Sequence, residues 1–271
     1  MKKPVIGIVG LGVLGGAALN YYTKNKYEVV TYDIAKPCTG KESFKDADII
    51  FICIPTPYKN GKCDLSALWY TLKWLPKDKI IVIRSTIPPG TTDKFAKKYT
   101  GDVLFNPEFL DSSKAEYDFE FPERQIIGIP SFSVSSRSEN LEYLPKANRM
   151  FVMSAIEAEC VKYMGNTFFA MKNVFANIWY DYCKEIGVNY DKVREAVGAE
   201  LRIGYVHLQV PHKGGRGAGG SCLPKELAAT IDFMTAAHQF GNVDFLMQTQ
   251  KINNRLLKES GKTDFLDMFE L

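Results

Sequence analysis

The residues that could do chemistry in this chain fall into three clusters. In GAGGSCLPKE, residues 217–226, Cys222 follows a run of glycines and stands directly before Pro-Lys-Glu. A cysteine thiolate is the strongest nucleophile among ordinary side chains near neutral pH, and glycines remove side chains where something must approach the backbone. The stretch therefore reads either as a thiol presented to a ligand or as a turn beside a buried cysteine. In midchain, Lys162 and Asn166 stand at i and i+4, the spacing that puts two side chains on one helix face, and Asn173 and Asn177 extend the stripe. Fixed amine and amide donors of this kind can hold an oxygen that becomes anionic, although a polar stripe on a mostly apolar helix can equally face solvent or a subunit partner. Near the start, Gly10, Gly12 and Gly15 in GLGVLG have G-x-G-x-x-G spacing, and Asp33 ends the next β-rich run.

The elements around these residues decide what they can do. PVIGIVG and YEVVTYD have the composition of short strands, and VLGGAALNYYTKNK between them predicts a helix, so the glycines lie at a strand-to-helix turn. There the first glycine permits the turn, the second lets a pyrophosphate approach the backbone, and the third packs helix against strand. A carboxylate at Asp33 accepts hydrogen bonds from ribose hydroxyls and repels a 2′-phosphate, which favours NAD over NADP. Lys36 reads as a surface lysine outside this site. Further Ile/Val-rich runs, DIIFICIP, KIIVIRST, DVLFNPEF and RQIIGIP, alternate with helical stretches such as LSALWYTLKWL and predict a Rossmann-type, doubly wound α/β domain with a parallel sheet. After a Ser-rich interval, Ser154 and Glu157 form a capping box that opens a long helix closing near Gly187, and DKVREAV and FLMQTQKINNRLLKES predict more helices. The expected organisation is a cofactor-binding sheet domain over residues 1–150 and an all-helical domain with a long central helix over residues 151–271. The last residues, with Phe265, Met268, Phe269 and Leu271 at helical spacing after a Thr-Asp start, read as a docked terminal helix as much as a cut within a longer chain.

Composition narrows the classes. With 271 residues, 46% hydrophobic and 24% charged, the chain is long enough for two cores and is not disordered. Its 34 basic and 31 acidic side chains are scattered, without the polybasic block of a nucleic-acid binder, so anionic small molecules are the charged partners left open. The six cysteines show neither C-x-x-C spacing nor a Cys/His cluster, which argues against a metal site or disulfide framework and for a reducing, cytoplasmic setting. The basic, apolar N-terminus could pass for a secretory signal, but its glycine spacing has the more specific explanation above, and no other segment is apolar for long enough to span a membrane.

Seven segments in order, GIVGLGVLG, IPTP, STIPPGTT, NPEFL, AECVKYMGNTFFAMKNVFAN, LRIG and GAGGSCLPKE, give the chain a resemblance to the UDP-glucose/GDP-mannose dehydrogenase family. These enzymes oxidise the primary alcohol of a nucleotide sugar to a carboxylate using two NAD. The resemblance implies that Cys222 is the thiol nucleophile, that Lys162 and Asn166 stabilise the oxyanion, and that Glu108 positions or activates the hydrolytic water. Thr86 matches a hydroxyl near that water and the nicotinamide, although Thr86, Pro88 and Pro89 also read as strand-end and turn chemistry. Glu226 matches a family Asp that works with the lysine and a water in proton transfer, and carries one more methylene. Gly219, Gly220 and Lys225 are expected at the sugar, and a homodimer is expected through the long helix, whose aromatic residues include Phe168, Phe169, Phe175, Trp179 and Tyr182. The chain departs from the family at Ser112, where a second glutamate is usual. The family continues past this point into a third domain that holds the nucleotide; if the protein is naturally short, either another chain or the neighbouring subunit recognises the base and diphosphate, or the substrate is smaller. Two other readings stand beside this one. A two-electron NAD-dependent dehydrogenase of a small hydroxy compound would need Lys162 and Asn166 but not Cys222. A non-catalytic relative would bind NAD and dimerise.

Overall fold

Runs of Ile and Val build the central sheet, because strands covered on both faces need apolar side chains in both directions. The computed structural model describes residues 3–131, 142–212, 214–237 and 243–262. Its main sheet comprises β1 (Ile6–Val9), β2 (Val29–Tyr32), β3 (Ile49–Ile52), β6 (Ile80–Ile83), β7 (Asp102–Phe105), β8 (Arg124–Ile129) and β9 (Arg149–Ser154), in the order β2-β1-β3-β6-β7-β8-β9. The first five run parallel, as expected, whereas β8 pairs antiparallel with β7 and parallel with β9. An Ile-rich strand buried on both faces reads the same in either direction, so its polarity is invisible in composition. β9 was not anticipated: it is an edge strand whose Met150, Phe151 and Val152 are exposed.

The pleat sends alternate side chains to opposite faces. Ile6, Ile8, Ile49 and Phe51 pack with Ala17, Ala18 and Tyr22 of α1 (Val13–Lys24) and with Phe119 of α4 (Ala115–Glu120). On the other face, Ile50, Ile52, Ile81 and Ile83 meet Leu68 of α2 (Ser66–Trp74), Phe95 of α3 (Thr91–Ala96) and Ala158 of α5 (Ala155–Glu185). The capping box opens α5 as expected: Ser154 N donates to Glu157 Oε2 at 2.8 Å and Glu157 N donates to Ser154 Oγ at 3.4 Å.

Two compact units emerge, Met1–Pro57 with Asp64–Lys162, and Tyr58–Cys63 with Tyr163–Leu271. The second comprises the remainder of α5 with α6 (Tyr190–Gly198), α7 (Leu223–Ala236) and α8 (Asp244–Glu259). It also takes in a small antiparallel ribbon, β4 (Tyr58–Lys59) and β5 (Lys62–Cys63), that packs on α7 and α5 through Tyr58, Tyr163, Ala228 and Ala229. The turn of the ribbon is Asn60-Gly61 with φ of 50° and 72°, the paired left-handed conformation that Asn-Gly supplies in tight hairpins. Residues 263–271, for which a terminal helix is expected, lie outside the described residues. No helix among the described residues is long and apolar enough to cross a membrane.

Candidate functional site

The glycine turn follows β1, where the chain order reverses between β2 on one side and β3 on the other, the switch point at which open α/β sheets bind ligands. Its three glycines do three different things. Gly10 has a φ of +90°, and an added Cβ would lie 2.7 Å from the Cys53 carbonyl oxygen. Gly15 packs so closely that a Cβ would lie 1.8 Å from Gly10 O, whereas a Cβ on Gly12 would meet nothing within 4 Å. Gly12 is the N-cap of α1, with no side chain capping the helix and no acidic residue in its first turn, so free N–H groups remain for an anion. Beside it opens a cavity of about 580 Å³ whose opposite wall carries Ser112 and Ser113.

Asp33 is tied to this turn. Its Oδ2 accepts Leu11 N at 2.6 Å and its Oδ1 accepts Ala35 N at 2.8 Å; the Leu11 bond above all holds the carboxyl below its ordinary range. Lys36 folds back, its Nζ donating to Leu11 O at 2.5 Å. An open second glycine, an uncapped helix start and a carboxyl held below its ordinary range just after β2 together fit a bound NAD.

Still within the first unit, the first turns of α5 gather the carboxyl ends of β6 and β7. Buried Lys162 donates to Glu108 O at 2.6 Å and Glu108 Oε1 at 2.9 Å, while Glu108 Oε2 accepts Leu110 N at 2.8 Å. Burial is the largest influence on Glu108 and pushes its carboxyl up, but the Lys162 charge and these hydrogen bonds outweigh it, leaving the carboxyl below its usual range. Thr86 lies beyond β6, its carbonyl accepting Thr56 Oγ1 at 2.5 Å. One turn before Lys162, buried Glu159 reaches the start of α3, accepting Gly90 N at 2.5 Å, Thr92 N at 2.7 Å and Thr92 Oγ1 at 2.6 Å. Gly90, the N-cap, has no side chain with which to cap that helix itself. Nothing in the local sequence around 90 announces a partner 69 residues away.

In the second unit, Cys222 is the N-cap of α7 and its thiol is exposed and free of any disulfide. One turn further, Glu226 is fully buried. Its Oε2 accepts Asn166 Nδ2 at 2.5 Å, and Lys225 Nζ lies 3.5 Å from its Oε1. Asn166, Lys225, Glu226 and Cys222 thus share one neighbourhood. Asn173 and Asn177 are buried too, and face neither solvent nor a partner: Asn177 Oδ1 accepts Arg216 Nε at 3.1 Å, and Arg216 also reaches Asp181 Oδ2 at 2.7 Å. The glycines before the thiol have unlike surroundings. Gly220, with φ +82°, meets nothing within 4 Å; Gly219 lies beside Lys262; Gly217 lies against Asn253 and Leu256 of α8. Asn253 and Arg216, both missed in the sequence, hold this loop. Phe169, grouped above with the aromatic residues of α5, packs against the His207 ring in a tilted arrangement with centroids 4.6 Å apart.

Known proteins match both parts of the chain. Residues 35–143 match the NAD binding domain of the UDP-glucose/GDP-mannose dehydrogenase family, and residues 156–255 match its central domain. A UDP-glucose 6-dehydrogenase of Rickettsia prowazekii is 32% identical over 236 residues, which cover 82% of this chain and 50% of the relative. Among solved structures, a UDP-glucose dehydrogenase from Pyrobaculum islandicum superposes with a TM-score of 0.82 at 26% identity, covering 93% of this chain and 68% of that one. A UDP-D-ManNAc dehydrogenase from Pyrococcus horikoshii superposes at 0.78 with 25% identity, covering 98% and 72%. The chain spans about half the length of the curated relatives it matches. Two consecutive domain matches, with the glycine turn ahead of them and the Cys-x-x-Lys-Glu helix start inside the second, leave one assignment: the chain belongs to the UDP-glucose/GDP-mannose dehydrogenase family.

Proposed function

We propose that this chain forms the NAD-binding (1–150) and central (151–271) parts of a nucleotide-sugar dehydrogenase that takes a primary alcohol to the carboxylate through a covalent adduct on Cys222. The observation that carries this reading is the pairing on α7 of an exposed thiol at the N-cap with the buried Asn166–Glu226–Lys225 group one turn behind it. A cysteine that only packs is usually buried; Cys38 and Cys160 are exposed as well, but of the three Cys222 alone stands at a helix start with buried polar side chains one turn on.

NAD, when bound, supplies the hydride acceptor for the two oxidations. The residues of the chain do the rest. Lys162 and Asn166 stabilise the oxygen that becomes anionic as the alcohol loses its proton. The Cys222 sulfur bonds to the aldehyde carbon, its proton passing to the new hydroxyl, and the resulting thiohemiacetal becomes a thioester on the second oxidation. Water then adds to the thioester carbon, the C–S bond breaks, and the thiol returns as the carboxylate and a proton leave. Glu108, held ionised by Lys162, is suited to take the proton of that water, Thr86 is assigned to orient it as the resemblance implies, and Glu226 with Lys225 relays protons near the sugar. The extra methylene of Glu226 is used in reaching Asn166. Gly220, with open space above it, leaves room for the sugar. A homodimer through α5 is supported by its outward stripe, in which Met164, Phe168, Phe175, Trp179 and Tyr182 are exposed.

The test is product stoichiometry with UDP-glucose, GDP-mannose and free sugars. The parent chain should release two NADH per carboxylate formed, and Cys222→Ser should make no carboxylate while still binding NAD. Full turnover by Cys222→Ser would establish the two-electron reading instead. Tight NAD binding with no oxidation of any alcohol by the parent would establish the binding module.

A further inference from the structure

The glycine-rich approach to Cys222 pairs with other backbone at an isolated bridge, between His212 and Gly215, and further along one buried side chain treats it as a strand would. Asn253, on α8 and 1% exposed, accepts Ala218 N through Oδ1 at 2.7 Å and donates from Nδ2 to Ala218 O at 3.1 Å. Both backbone groups of one residue are thereby satisfied by a single carboxamide, which only Asn or Gln can do, because it needs an acceptor and a donor on one planar group. The fit is close. A Cβ on Gly217 would lie 3.0 Å from Asn253 Oδ1 and 3.2 Å from Leu256 Cβ, so the glycine at 217 serves the approach of α8 and not that of a ligand. The opposite side of the loop is held through Arg216, by Asn177 and Asp181 of α5 and by Ser260 Oγ, which accepts Arg216 N at 2.8 Å. Beyond Ala218 come two further glycines, Ser221 and the thiol, so Ala218 is the last backbone point held in this way before Cys222.

We infer that Asn253 is a positioning residue of the dehydrogenase reaction: acting through Ala218, it fixes the loop that presents Cys222 at the start of α7. This rests on the catalytic reading of Cys222, but the clamp can be tested without turnover. Glycine-rich loops have many accessible conformations, and the amide bonds of Asn253 remove that freedom before substrate arrives, which is the contribution of pre-organisation to a covalent step.

The experiment compares the full chain with Asn253→Ala and Asn253→Asp. Amide hydrogen exchange is measured over residues 214–222, α7 and α8, and NAD reduction is measured with UDP-glucose. In Asn253→Ala, exchange at Ala218 and its neighbours should accelerate about 30- to 100-fold, from the loss of two buried hydrogen bonds, while α7 and α8 stay protected. In Asn253→Asp, whose carboxylate still accepts Ala218 N, the acceleration should be smaller. kcat should fall about 10- to 100-fold in Asn253→Ala with KM for NAD unchanged, and recover in part in Asn253→Asp. Unchanged exchange over 214–222 in both variants would overturn the clamp, as would loss of protection spread through α8, which marks an ordinary core residue. A rise in loop exchange with kcat unaffected would overturn the positioning role. If Cys222→Ser turns over like the parent, the catalytic reading fails by itself, and exchange still decides the clamp.

Discussion

At the scale of single residues, the glycine turn separates folding from binding within one motif. Gly15→Ala places a methyl group against the rigid Gly10 carbonyl and should cost about 2 kcal/mol or more, read as a lower urea midpoint. Gly12→Ala meets no atom, and its φ of −66° is ordinary backbone, so stability should stay within about 0.5 kcal/mol while NAD affinity falls about 10-fold or more in a fluorescence titration. Equal effects of the two substitutions would remove the pyrophosphate from this turn. The tight turn at Gly10 and the close packing at Gly15 were legible from spacing, because the strand, turn and helix leave no other geometry. The holders of the Cys222 loop were not legible. Asn253 and Arg216 lie in stretches whose composition says only helix or loop, and their partners become apparent only when α5 and α8 are in place. Asn173 and Asn177 were visible as a stripe, but a stripe does not say what covers it, and here it is covered from within the same unit.

At the scale of elements, α5 acts as a beam whose first turns tie down what the strands carry. Glu159 caps α3 from α5. Burial pushes its carboxyl up to about 7, against the Thr92 and Gly90 hydrogen bonds that pull it down. The folded chain therefore keeps a proton that the unfolded chain, near the ordinary 4.5, has already released. Its contribution is fully present below about 4.5 and is lost as pH rises through about 7. Glu159→Gln stays neutral throughout, so urea unfolding should show the difference between variant and parent moving toward the variant by about 3 kcal/mol from acid to pH about 8. A constant difference would mean that the carboxylate is ionised throughout. Sequence patterning located most strands and the long helices α1, α5 and α8 because apolar runs and capping residues are local signals, but it left out α7, whose start at Cys222 follows a glycine run and carries no capping residue. It missed β9, whose apolar residues follow a polar interval and stay exposed, and the polarity of β8. It also passed over the Asn-Gly ribbon, although that dipeptide is a strong hairpin signal, because strands of two residues have no periodicity to read.

For the whole molecule, the α5 stripe is an exposed apolar surface of the second unit rich in aromatic residues, and exposed aromatic clusters of this kind mark association sites. Sedimentation should find the parent chain dimeric and the double variant Phe175→Glu, Trp179→Glu monomeric, with NAD affinity unchanged. A parent that sediments as a monomer at all concentrations would remove the helix from the interface. Because the chain spans about half of its curated relatives, that assay is best run beside the substrate panel.

The ribbon at residues 58–63 carries a last implication. Tyr58 hydroxyl bonds Asp232 and Cys63 Sγ lies 3.5 Å from the Tyr163 hydroxyl, so a hexapeptide from the opening quarter of the polypeptide completes a unit otherwise assembled from its closing part. During synthesis that hexapeptide leaves the ribosome well before the helices that receive it. A cut after Lys162 would deprive the later piece of its docked hairpin, and a cut before Tyr58 would leave most of the first unit attached, so no single cut yields the second unit whole.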